Sequence, residues 1–94
     1  MNDRISALAV RVSYQALRDY LTARRWQSMP SRISYAAIYR SPGAGDVEVQ
    51  VPLDRYLADY ADAITLAARR IASFEGRPVE PILRDLLQPH ILPR

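Results

Sequence analysis

The clearest pattern in the chain runs from Val47 to Gly76. Val47, Val49 and Val51 alternate with Glu48 and Gln50, which puts the valines on one face of a strand and the polar pair on the other. Such alternation belongs to a sheet with one face buried and one wet. Pro52 has no N–H for a ladder and is expected to end the pairing. Asp54 stands where an N-cap carboxylate would accept from the free amides of a first helical turn. Beyond it, Tyr56, Tyr60, Ala63, Ile64, Ala67, Ile71 and Phe74 recur at three- and four-residue steps and form one stripe of a long helix. Arg55, Asp59, Asp62, Arg69, Arg70 and Ser73 fall opposite, joined by Leu66, which is out of pattern there. Gly76 suits the left-handed position that stops such a helix.

The first part of the chain is also helical in pattern. From Asn2 to Arg24, the residues Ile5, Leu8, Ala9, Val12, Ala16, Leu17, Tyr20 and Leu21 fill a wide apolar face. Opposite them Arg4, Arg11, Arg18 and Arg25 stand seven residues apart, with Gln15 and Thr22 beside them. On one continuous helix they form a nearly straight row with neighbouring charges about 10 Å apart. Trp26 follows and is expected to cap the core where the helix gives way to the sheet. Residues 32–40, RISYAAIYR, read as a strand, and the stretch around Gln27–Met29 leaves room for a short extra one. Its alternation is ambiguous: Ile33, Tyr35, Ala37 and Tyr39 share one face, Ser34, Ala36, Ile38 and Arg40 the other. The Pro42–Asp46 turn signal makes a β-hairpin of this strand and Val47–Val51. After Gly76, Pro81 is tolerable in a first helical turn, and Ile82, Leu83, Leu86 and Leu87 give a short helix that Pro89 ends. The fold expected is α+β: a long N-terminal helix, an antiparallel hairpin, a long second helix and a short C-terminal one, as a two-layer α/β sandwich.

Ninety-four residues make one domain, 1–94, with residues 89–94 as an apolar tail. Ile91 and Leu92 in that tail are expected to fold back or to dock on another chain or domain, because disordered tails are usually polar. Every one of the 13 basic residues is arginine, a composition that codon bias in a GC-rich genome explains. Lysine chemistry is thereby removed, and each cation is a permanently charged planar fork. Charge is uneven: residues 1–40 hold seven arginines against two acids, whereas residues 41–94 hold six against eight. That asymmetry suits head-to-tail self-association. No apolar run reaches the ~18 residues of a membrane span. No signal-peptide pattern opens the chain, so a cytoplasmic setting without membrane contact is expected.

Candidate chemistry is sparse. The sequence has no cysteine and one histidine, His90, which lies near the end of the chain. Ser41 and Ser73 lack the context of an activated nucleophile. Asp59 and Asp62 are one helical turn apart, but Arg55 and Arg69 on the same face favour surface ion pairing over a metal. Gly43 and Gly45 lie in a hairpin turn, not ahead of a helix, and so form no phosphate loop. No cofactor and no catalytic residue are expected. The order of helix, hairpin, helix and short helix resembles double-stranded-RNA-binding domains and the HicA family of small mRNA-cleaving toxins, with Arg25-Trp26 where such toxins often have Gly-Trp. In place of the catalytic histidine of those toxins the chain has Ser34-Tyr35-Ala36-Ala37, and Asp54, Asp59 and Asp62 stand where RNA-binding domains carry lysines. The run from Glu48 to Leu87 is similar to an uncharacterised bacterial module, which implies a fold and a bacterial setting without an activity. The expected function is a non-enzymatic protein–protein interaction or oligomerisation module, with Leu66, Ile91, Leu92, Tyr35 and Tyr39 as interface residues. The alternative is a small basic nucleic-acid-binding domain using Arg4, Arg11, Arg18 and Arg25 against phosphates or an acidic partner.

Overall fold

A computed structural model describes residues 3–88. The described chain is a small α+β domain whose elements follow the order α1 (Asp3–Arg11), α2 (Tyr14–Ala23), β1 (Gln27–Met29), β2 (Ala36–Arg40), β3 (Glu48–Pro52), α3 (Tyr60–Glu75) and α4 (Val79–Leu87). The three strands form one antiparallel sheet in the order β1-β2-β3. The short extra strand for which the sequence leaves room is present at Gln27–Met29.

The single long N-terminal helix is two helices. Ser13 adopts an extended conformation, and its hydroxyl accepts from Ala16 N at 3.1 Å. In an unbroken helix that amide would bond the Val12 carbonyl. The carbonyl instead accepts from the Tyr60 hydroxyl at 2.6 Å, so a residue of α3 and a capping serine together replace one helical bond. The apolar face of α1 and α2 remains buried through Ile5, Leu8, Ala9, Val12, Leu17, Tyr20 and Leu21.

Two helix ends show the same geometry built from different residues. After α3, Gly76 is left-handed at φ 70°, and Arg77 N donates back to Ala72 O at 2.9 Å. After α2, Arg25 is left-handed at φ 68°, and Trp26 N donates back to Leu21 O at 2.9 Å. Both are Schellman closures, one on the expected glycine and one on an arginine that strains to hold it. The turn delivers Trp26 into the core, with its ring edge-on to Phe74 at 5.2 Å.

The second helix starts at Tyr60, six residues after the expected cap. Asp54 accepts from Tyr56 N at 2.9 Å and so forms a local Asx turn instead of a helix cap. Further turns follow from Leu57 N to Asp54 O and from Tyr60 N to Leu57 O. Tyr56, expected on the apolar stripe, is 93% exposed, whereas Tyr60, Ile64, Ala67 and Ile71 are buried as expected. Residues 32–35, expected in the same strand, instead precede β2 in a turn held by Ser31, whose hydroxyl accepts from Ile33 N and lies 3.0 Å from Ala36 O, while the Tyr35 carbonyl still accepts from Leu53 N.

Register settles the ambiguous face of β2. Tyr39 pairs with Val49 and Ala37 with Val51, and partners directly opposite share a face. Tyr39 therefore lies with the buried valines and not beside Glu48 and Gln50. The core joins this face to apolar residues of all four helices, including Ile82, Leu83 and Leu86 of α4.

Candidate functional site

Strand β3 is an edge strand, and its hydrogen bonding decides what it offers. Ser41 N donates to Val47 O and Leu53 N to Tyr35 O, both at 2.8 Å. Bonded pairs alternate along an antiparallel ladder, so residues 47, 49, 51 and 53 turn their backbone groups toward β2. Glu48, Gln50 and Pro52 turn theirs away from β2, where Glu48 and Gln50 are exposed and Pro52 is buried. Pairing therefore continues through Pro52 to Leu53, because the proline nitrogen faces away from β2, where no donor is needed.

That open side is partly furnished by α3. Arg70 Nη1 donates to the Glu48 carbonyl at 2.8 Å, taking one of the outward acceptors. Leu66, one turn earlier on α3 and 51% exposed, lines a shallow groove of about 120 Å³ with Gln50, Ala63, Ala67 and Arg70. Further along, Arg70 and Ser73 border a second hollow with Asp46, Val47 and Glu48. The out-of-pattern leucine and the free strand edge thus fall in one place. An exposed strand edge beside an apolar side chain is suited to adding another strand, with backbone bonds giving affinity and side chains selectivity.

The four arginines of the expected row do not share a helix. Arg4 and Arg11 lie on α1 and Arg18 on α2, while Arg25 lies beyond the end of α2. Arg4 pairs with Glu80 at 3.6 Å, and Arg18 Nε donates to the Tyr39 hydroxyl at 3.4 Å. That hydrogen bond to Tyr39 raises the Arg18 pKa. Arg25 borders an open hollow of about 480 Å³ with Arg40 and the Ser41–Gly45 turn. The opposed charges of the two halves meet inside the molecule, through Arg4–Glu80, Arg24–Glu75 at 3.4 Å and Arg40–Glu48 at 3.5 Å. Charge asymmetry therefore provides less for head-to-tail association than the sequence suggests.

Of the expected interface residues, Leu66 and Tyr35 are exposed, the latter at 55%. Tyr39 is buried among the core side chains and presents no docking surface. Ile91, Leu92 and His90 lie outside the described residues. Ser41 is buried and accepts from Val47 N at 3.1 Å, so it ties the hairpin turn. Among the described residues, no group of three or more histidine or acidic side chains could hold a metal ion.

The most perturbed ionisable cluster joins α2, the end of α3 and α4. The Tyr20 hydroxyl donates to the Glu75 carboxylate, lying 2.9 and 3.1 Å from its two oxygens. Arg77 reaches Glu75 at 3.1 Å and Asp85 at 3.0 Å, and the Arg24 guanidinium lies 3.6 Å over the Tyr20 ring. Burial, then the hydrogen bond to Glu75 and its negative charge, push the Tyr20 pKa up to about 12. Hydrogen bonds to Asp85 and Glu75 raise that of Arg77. These groups satisfy one another and clamp three helices together.

Sequence reasoning missed Arg70 as a cap on the strand edge. The available signal was its position one turn beyond the misplaced Leu66, on the side of α3 that faces β3. No protein-family model, curated protein or solved structure matches the chain. Among the described residues, no helix is long and apolar enough to cross a membrane.

Proposed function

We propose that this chain is a non-enzymatic protein–protein interaction module of a bacterial cytoplasmic system, and that it docks through the open edge of β3. The observation that carries this is the juxtaposition of Gln50, whose N–H and C=O turn outward, with the exposed Leu66 in one groove. The helices lie on the valine side of the sheet in a two-layer arrangement, and the outer border of β3 is the longer of its two borders. A phosphate-binding role has less support, because the arginines that would form its row are divided between two helices and a turn.

The test is a photo-crosslinking residue placed at position 66 and irradiated in the native cell. Adducts are expected at 66, none at Arg32, and those at 66 should vanish when Gln50→Pro removes the outward N–H. Position 66 is exposed, where substitution changes stability by only about 0.5 kcal/mol, and the nitrogen of residue 50 faces away from β2, where an edge strand tolerates proline, so the folded chain remains available to report. No adduct at 66, or adducts indifferent to Gln50→Pro, sinks the proposal.

A further inference from the structure

We infer that the occupant of the β3 edge is a second copy of this chain, paired antiparallel about a two-fold axis at Gln50. This rests on the edge being the docking surface and adds its partner and register. The backbone is self-complementary there. With the axis at Gln50, Gln50 lies opposite Gln50 of the partner subunit, and the two exchange both N–H···O=C bonds. Glu48 lies opposite Pro52 of the partner subunit with its N–H facing that carbonyl, although Pro52 is buried within the single chain. The reciprocal bond cannot form, because proline has no N–H. The acceptor thereby left over is the Glu48 carbonyl, the one that Arg70 of the same chain already satisfies at 2.8 Å. Moving the axis to residue 49 would aim Gln50 N–H at that occupied carbonyl. The register at Gln50 is the one that partners both exposed backbone groups of Gln50 and leaves the Arg70 cap on Glu48 in place.

The helix above the edge is self-complementary as well. Asp62, Leu66 and Arg70 follow one another at four-residue steps, all exposed, so they lie on one line of α3. A two-fold axis beside Leu66 runs the two copies of α3 antiparallel. Leu66 then meets Leu66 of the partner subunit, while Asp62 faces the partner's Arg70 and Arg70 faces the partner's Asp62. Opposite charges thus flank an apolar centre on both sides of the axis.

The sequence has no cysteine, so Gln50→Cys introduces a single thiol. In a hydrogen-bonded antiparallel pair the Cα atoms are about 5.5 Å apart, which is within disulfide reach. Mild oxidation should convert the purified Gln50→Cys chain to a covalent dimer, whereas Thr22→Cys, exposed on α2, should stay monomeric. In light scattering, Asp62→Arg and Arg70→Asp should each weaken dimerisation by roughly tenfold or more, since each sets like charges face to face. An equimolar mixture of the two should recover it, because both cross-axis contacts are then attractive; damage to the fold cannot produce that recovery. A wild-type chain monomeric at every concentration, Gln50→Cys oxidising no faster than Thr22→Cys, or no recovery on mixing overturns the inference. If photo-adducts at position 66 persist in that case, the docking edge stands and only the second copy falls. If they are absent too, both fall.

Discussion

Tyr60→Phe removes one oxygen and leaves the ring, so it probes the bond that replaces a helical turn between α1 and α2. The Val12 carbonyl is then buried with neither Ala16 N nor a hydroxyl to accept from. A buried acceptor left without a partner costs about 1–3 kcal/mol. For a domain of this size each kcal/mol lowers Tm by about 4–8 °C, so a fall of roughly 5–20 °C is expected. Ser13→Ala alone removes a cap and should cost about 1 kcal/mol. The double variant distinguishes this account from ordinary loss of packing. With both substitutes gone, Ala16 N and Val12 O are free to bond each other and close a continuous turn. The double variant should therefore cost less than the sum of the single ones, by about 1 kcal/mol. Urea unfolding followed by circular dichroism measures all three. A Tyr60→Phe loss below about 0.5 kcal/mol, or strictly additive costs, refutes the exchange of bonds.

Three further substitutions follow from the helix ends and the ion cluster. Arg25→Gly relieves a left-handed arginine and should stabilise by about 0.5–1 kcal/mol, net of the extra freedom glycine gives the unfolded chain. Gly76→Ala should destabilise by about 1 kcal/mol through backbone strain alone, since an added Cβ would meet nothing within 4 Å; thermal melts of the two variants should move in opposite directions. Tyr20 in the folded state loses its proton near pH 12 against an ordinary value of 10.0. Its contribution to stability is thus complete below pH 10 and is lost as pH rises toward 12. Ultraviolet titration should show Tyr20 ionising late among the six tyrosines. Glu75→Gln should bring its midpoint part of the way back, the remainder of the shift being due to burial.

The elements whose side chains alternate or recur over many residues were legible in the sequence. The valines of β3, the stripe from Tyr60 to Ile71 and Gly76 as a left-handed stop all stand where the pattern puts them. What escaped it was decided by single side chains bonding across the fold or to their own backbone. Apolar periodicity continues through Val12 and Ser13, and only the arrival of the Tyr60 hydroxyl from 48 residues away makes a break there favourable. Asp54 and Ser31 took local turns that compete with helix and strand. Of the candidate site, Leu66 was visible as an anomaly, but its neighbourhood was not. Which residues of β3 face outward depends on register, and a shift of one position would have exchanged them.

The far border of the sheet is as informative as the near one. Strand β1 is three residues long, and the pairs Gln27↔Arg40 and Met29↔Ile38 turn the backbone groups of Gln27 and Met29 toward β2. Ser28 alone is left to present a donor and an acceptor outward. One amide and one carbonyl cannot template a neighbouring strand, so lateral growth of this sheet ends at β1. Polymerisation across the sheet would need two competent borders, and among the described residues the sheet has one. Anything assembled on β3 is therefore a finite object, not a fibre.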